Sequence, residues 1–92
     1  MMNFDDKYAG ETEYVGWDFA ARLETGETLT SAAFTSDPAG ILQGAAQIGG
    51  AIARQLVADL VAGTRYTMVV TAQTSGGRTL IEAGVLRARA TT

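Results

Sequence analysis

The run Leu60-Val61-Ala62-Gly63-Thr64-Arg65-Tyr66 constrains this chain more than any other feature. It leads straight into a stretch of strict alternation. Tyr66, Met68, Val70 and Ala72 point one way, and Arg65, Thr67, Val69, Thr71 and Gln73 point the other. Period two in a segment rich in β-branched residues predicts a strand with one buried face. A tyrosine at the start of such a strand inserts its ring beneath the chain as it crosses between two sheets. Its hydroxyl then needs a backbone partner a few residues upstream. Gly63 lets that upstream backbone turn sharply, and Leu60 closes the core beneath it. Leu60, Gly63 and Tyr66 therefore read as a tyrosine corner.

The segment after the corner agrees. Ser75-Gly76-Gly77 predicts a tight hairpin turn, because glycine supplies the left-handed angles such turns need. Residues 78–90 then form the partner strand, with Thr79, Ile81, Ala83 and Val85 expected inward and Arg78, Glu82 and Arg87 at the surface. Gly84 invites a bulge. Earlier in the chain, residues 13–19 read as a strand with Val15, Trp17 and Phe19 on one face, and Trp17 is taken as a core plug between the sheets. Residues 28–35 resume strand composition after a short turn and Gly26. Residues 36–40 form a further turn around Pro38. Together these predict an all-β fold, an immunoglobulin-like (fibronectin type III-like) antiparallel β-sandwich of about seven strands over residues 13–92. Residues 1–12, polar, acid-rich and without periodicity, read as an N-terminal arm that orders on a neighbour.

Residues 41–62 carry two patterns. Ile41, Ala45, Ile48, Ile52, Leu56 and Leu60 recur at helical spacing. Gly44, Gly49 and Gly50 oppose a helix, each costing about 1 kcal/mol relative to alanine. Strand parity also fits, with Ile52, Leu56, Ala58 and Leu60 on one face and Ala53, Gln55, Val57 and Asp59 on the other. The reading adopted is two short strands split at Gly49-Gly50, with a helix left open.

Composition excludes more than it assigns. The 92 residues contain no cysteine and no histidine, so the usual nucleophiles, general bases and transition-metal ligands are missing. No catalytic residues, cofactor or metal site are assigned. Asp5, Asp6, Glu11 and Glu13 lack the liganding pattern of a calcium loop and read as solvated acids. An anion cradle at residues 75–78 is a weaker reading than a plain turn. Net charge is −3, against nucleic acid as a partner. Residues 1–46 carry eight acids against Lys7 and Arg22, whereas residues 47–92 carry five arginines against Asp59 and Glu82. Such asymmetry can favour association between chains, although ordinary solvated faces explain it as well. No stretch reaches the roughly 20 apolar residues of a membrane helix, so no membrane contact is expected. The first seven residues do not resemble a signal peptide. With the missing disulfide, this points to folding in a reducing cytoplasm.

Four blocks in order carry a resemblance. They are residues 13–19 (Glu-Tyr-Val-Gly-Trp-Asp-Phe), residues 23–29 (Leu-Glu-Thr-Gly-Glu-Thr-Leu), residues 63–67 (Gly-Thr-Arg-Tyr-Thr) and residues 74–78 (Thr-Ser-Gly-Gly-Arg). Spanning roughly residues 13–86, they resemble the small tailed-phage virion proteins known as fibre–tail adaptors. Residues 39–58, rich in alanine and leucine, depart from the more polar strand pair of that family. The resemblance implies a non-enzymatic virion building block made in the host cytoplasm. It implies an oligomer in the particle whose partners are tail, portal, fibre or capsid proteins, and it brings no catalytic residues. Alternatives within the same fold are a capsid-decorating module and a carbohydrate-binding module. The latter would use Tyr8, Tyr14 or Phe34 on an exposed face.

Overall fold

The computed structural model describes residues 2–3 and 7–90, the first two as backbone. Among them the chain forms strands β1 (Met2–Asn3), β2 (Lys7–Tyr8), β3 (Glu13–Asp18), β4 (Leu29–Asp37), β5 (Leu42–Gly49), β6 (Ile52–Val57), β7 (Arg65–Thr74) and β8 (Thr79–Arg89). Among the described residues, a single 3-10 turn at Ala20–Arg22 is the one helical element. The fold is all-β, in two sheets. One has the order β1-β8-β7-β4, with β2 also paired to β8; the other has the order β3-β6-β5. Both contribute to one apolar cluster, which joins Val15, Phe19, Ala53 and Val57 of the smaller sheet and its flank to Phe34, Met68, Val70 and Leu86 of the larger.

β7 follows its alternation throughout, with Tyr66, Met68, Val70 and Ala72 buried. β8 runs antiparallel to it without a register shift, from Gln73 opposite Thr79 to Arg65 opposite Arg87. Two expectations for β8 are corrected here. Leu80, Leu86 and Ala88 face the core, and Ile81 is 57% exposed, so the inward set is one residue out of phase with the predicted one. The hairpin explains the shift. The Gly77 amide donates to the Thr74 carbonyl and Gly77 has φ +79°, making a three-residue loop that sets Leu86 opposite Tyr66 and Leu80 opposite Ala72. Directly opposed residues share a face, so the loop length alone decides which side of β8 is buried. Gly84 makes no bulge; it stands opposite Met68 in a regular ladder.

Residues 41–62 are extended, and the helical alternative fails. Two strands meet at Gly49-Gly50, with Gly50 at φ +61°. Of the two β6 faces, the one that carries Gln55 is the buried one. Ala53, Gln55 and Val57 face the core, and Ile52 lies at the surface. A polar residue inside looks wrong until β5 is considered. Its pairing with β6 shifts between Gln43 and Gln47, where Gly44 takes φ +69°. The Gln55 side-chain amide, 3% exposed as a residue, donates to the carbonyls of Gln43 (3.0 Å), Gly44 (3.1 Å) and Leu56 (3.0 Å). A buried carbonyl without a donor is costly, and this glutamine supplies the donor at the irregular part of the ladder.

β4 carries a comparable irregularity. Its register against β7 shifts between Leu29 and Ser31, so Leu29 and Phe34 both reach the core although one position is odd and the other even. Residues 7–8 run parallel to β8, opposite Ala88 and Arg89, and residues 2–3 pair with Gly84 and Val85. The rest of the expected arm before residue 7, including Asp5 and Asp6, lies outside the described residues.

Candidate functional site

Tyr66 is the second residue of β7 and only 3% exposed. Its hydroxyl accepts the Val61 amide at 3.0 Å, five residues upstream. Leu60 is buried beside it, after Asp59, a non-glycine residue at φ +61°. Gly63 sits at φ +81°, and its amide donates to the Ala88 carbonyl at 2.9 Å, tying the turn to the end of β8. Trp17 shares the inward parity of Val15 and Phe19, but it is half-buried at the flank of the cluster, and Phe19 is the fully buried aromatic of that segment. Phe19 was legible as part of the face, but nothing in its spacing distinguished it from Trp17.

At the opposite end, two of the sequence blocks meet. Glu27 follows Gly26 in the β3–β4 connection, and Arg78 closes the β7–β8 hairpin. The Arg78 guanidinium grips the Glu27 carboxylate with two nitrogens, Nη2 on Oε1 and Nε on Oε2 at 3.1 Å. Thr74 donates its hydroxyl to Oε2 at 2.6 Å, and the Glu24 amide donates to Oε1 at 2.9 Å. Arg78 also reaches the Arg22 carbonyl at 2.8 Å, while Ser75 and Thr28 exchange two hydrogen bonds. The Glu27 side chain is 6% exposed. The Arg78 and Thr74 donors hold its carboxyl well below the ordinary value of 4.5, at about 2. A Cβ at Gly76 would meet Glu27 Oε2 at 2.6 Å, so a side chain there would displace the carboxylate from its donors. The hairpin of Ser75, Gly76 and Gly77 thus sits over an anion supplied by the chain itself. A carboxylate so firmly ionised and so fully bonded acts as a strut between two loops. Beside it, Arg22 pairs with Glu82 at 2.6 Å in an exposed bridge.

The aromatics proposed for a sugar platform do not share a surface. Phe34 is 6% exposed and belongs to the core, which corrects its expected position on an outer face. Tyr8 is exposed beside β8, and Tyr14 lies on the outer face of the smaller sheet. There Arg54 stacks over the Tyr14 ring at 5.0 Å, and Gln47 donates to its hydroxyl at 3.3 Å. Glu11 and Glu13 accept backbone amides of Tyr8 (2.7 Å) and Tyr14 (2.8 Å). Among the described residues there is no cavity and no cluster of metal-ligating side chains, and no helix is long and apolar enough to cross a membrane. What the surface offers is sheet edges and faces.

Residues 7–87 match the family model described as Podophage GP4 fiber-tail adaptor protein gp77. No curated protein matches the chain.

Proposed function

The chain belongs to the podophage GP4 fiber-tail adaptor family, and on that premise we propose that it is a non-enzymatic structural component of the virion, linking tail or portal to fibres through protein–protein contacts. The observation that carries this reading is the family match, which runs from β2 almost to the end of β8. The Glu27 carboxylate, held well below its ordinary acidity, is locked in a bidentate pair with Arg78, which suits a structural part.

The strand order supports an immunoglobulin-like sandwich. With β3 to β8 lettered B to G, the sheets become B-E-D and G-F-C. This is the constant-type arrangement, with the N-terminal strands moved from B across to G. In that lettering Tyr66 opens strand F at the E–F corner, where a tyrosine corner belongs. A small rigid sandwich, fastened at one end by Glu27–Arg78 and at the other by Tyr66, suits a part that transmits position between larger components. We further infer that it works as an oligomer in the particle, and that residues 1–12 act as an arm engaging a neighbour.

The test is incorporation. Tagged full-length chain is expected to co-sediment with tail or portal proteins and to enter particles, while a variant lacking residues 1–12 folds but enters poorly. A monomer that stays out of particles and binds polysaccharide on a glycan array would overturn the adaptor reading.

A further inference from the structure

The two sheets present their edges very differently. The β8 edge is covered by residues 2–3 and 7–8. β5 is broken by its register shift at Gly44, and it runs close alongside β4 of the other sheet. Among the described residues, β3 alone is regular, paired only to β6 and without a strand beyond it. Natural sheets usually blunt, bend or cover such edges.

The direction of each backbone group on β3 follows from the pairing. The Phe19 amide donates to the Ala51 carbonyl at 2.8 Å, continuing the ladder in which Val15 faces Gln55 and Trp17 faces Ala53. In an antiparallel ladder the bonded residues alternate. The N–H and C=O groups of Tyr14, Gly16 and Asp18 therefore point away from β6. At Tyr14 the amide is capped by Glu13 Oε1 at 2.8 Å. At Gly16 no side chain screens the edge. A Cβ there would crowd the Ala53 carbonyl and Arg54 Cγ, both at 3.2 Å, so the position stays bare. A row of outward amides and carbonyls is recognised by another extended backbone, and by little else.

Two further observations give that backbone its side chains. Trp17 has inward parity between two buried neighbours, Val15 and Phe19, yet is itself only half-buried; a strand beyond β3 would complete its cover. Exposed acids, Glu13 and Asp18, flank the edge at its two ends. The geometry points to the β3 edge as a strand-addition site for an extended segment of another protein, with an apolar residue beside Trp17 and basic residues at both ends. Charge disfavours the acid-rich residues 1–12 of a second copy as the occupant. This inference deepens the adaptor reading by naming where a partner docks. It can fail while particle incorporation succeeds.

The probe is a terminally blocked peptide, Lys-Thr-Val-Thr-Ile-Thr-Lys, with its glutamate-flanked counterpart as control. On binding, the amides of Gly16 and Asp18 are expected to gain protection from hydrogen exchange. Those of Val15 and Trp17, already bonded to β6, should stay unchanged, and Trp17 fluorescence should shift to the blue. Glu13→Gln with Asp18→Asn keeps the acceptors for the Tyr14 and Ala20 amides while removing the charges, and is expected to weaken the lysine-flanked peptide by about two- to tenfold at low salt. Several results would overturn the proposal: protection appearing on β4 or β5 instead, no odd–even contrast on β3, equal binding of both peptides, or no binding at millimolar concentration. Protection of Gly16 and Asp18 in the chain alone at high concentration would make a second copy the occupant and overturn the choice of partner.

Discussion

Replacing Tyr66 by phenylalanine removes one oxygen from a side chain that is 3% exposed and leaves the ring in place. The lost interaction is the 3.0 Å bond from the Val61 amide. A net hydrogen bond is worth about 0.5–1.5 kcal/mol, and a buried donor left without a partner costs about 1–3 kcal/mol. Which range applies depends on whether water reaches the amide. Val61 is 63% exposed as a residue, whereas the bond enters the protein beside buried Leu60. Partial access to water places the expected loss at about 1 kcal/mol. For a domain of this size that corresponds to a fall in Tm of about 4–8 °C. Urea titration should show a lower midpoint with an unchanged slope, because the surface exposed on unfolding is the same. Hydrogen exchange gives a local reading: the Val61 amide should lose protection more than the amides of Met68 or Val70. Tyr14→Phe serves as the reference, since the Tyr14 hydroxyl makes only a 3.3 Å contact on an exposed face. If Tyr66→Phe is as neutral as Tyr14→Phe, or Val61 exchange is unchanged, the hydroxyl does not hold the turn and the reasoning fails.

Two other substitutions probe the interior. Glu27 has a carboxyl at about 2 in the folded chain against 4.5 ordinarily, so between those values the unfolded chain binds more protons. Its stabilisation is complete above pH 4.5 and is lost as pH falls through about 2; Glu27→Gln should flatten that part of an acid-denaturation curve while leaving a folded protein at pH 7. Gln55→Leu keeps the volume roughly and removes the donor to three carbonyls, and is expected to lower stability by about 1–3 kcal/mol in a denaturant titration despite the more apolar side chain.

Legibility in the sequence tracked how local the determining interaction was. β7 could be read residue by residue, because every inward position from Tyr66 to Ala72 is apolar and no bulge interrupts it. β8 has apolar residues on both faces, so alternation could not choose between Ile81 and Leu80; the choice is made across the strand, by the loop that sets Leu80 against Ala72. The β6 phase was hidden for a different reason. Gln55 is inside because of carbonyls on β5, an arrangement that no pattern within β6 reveals. Phe34 looked available as a surface aromatic because the shift between Leu29 and Ser31 interrupts the alternation that would have tied it to Leu29. Glu27 and Arg78 each stood in a block of the family resemblance. Their meeting across 51 positions of sequence became visible only in three dimensions.

The pairing of residues 7–8 with Ala88 and Arg89 has a consequence for synthesis. Residues 7–8 are made long before their partner, the end of β8. β3 waits for β6 and β4 waits for β7 in the same way. The smaller sheet can close once β6 is made, whereas the larger waits for β7 and β8 and closes late, through long loops. Until β8 is released, residues 2–3 and 7–8 have no partner strand and β7 has a bare edge, and that interval is when a wrong partner is met most easily.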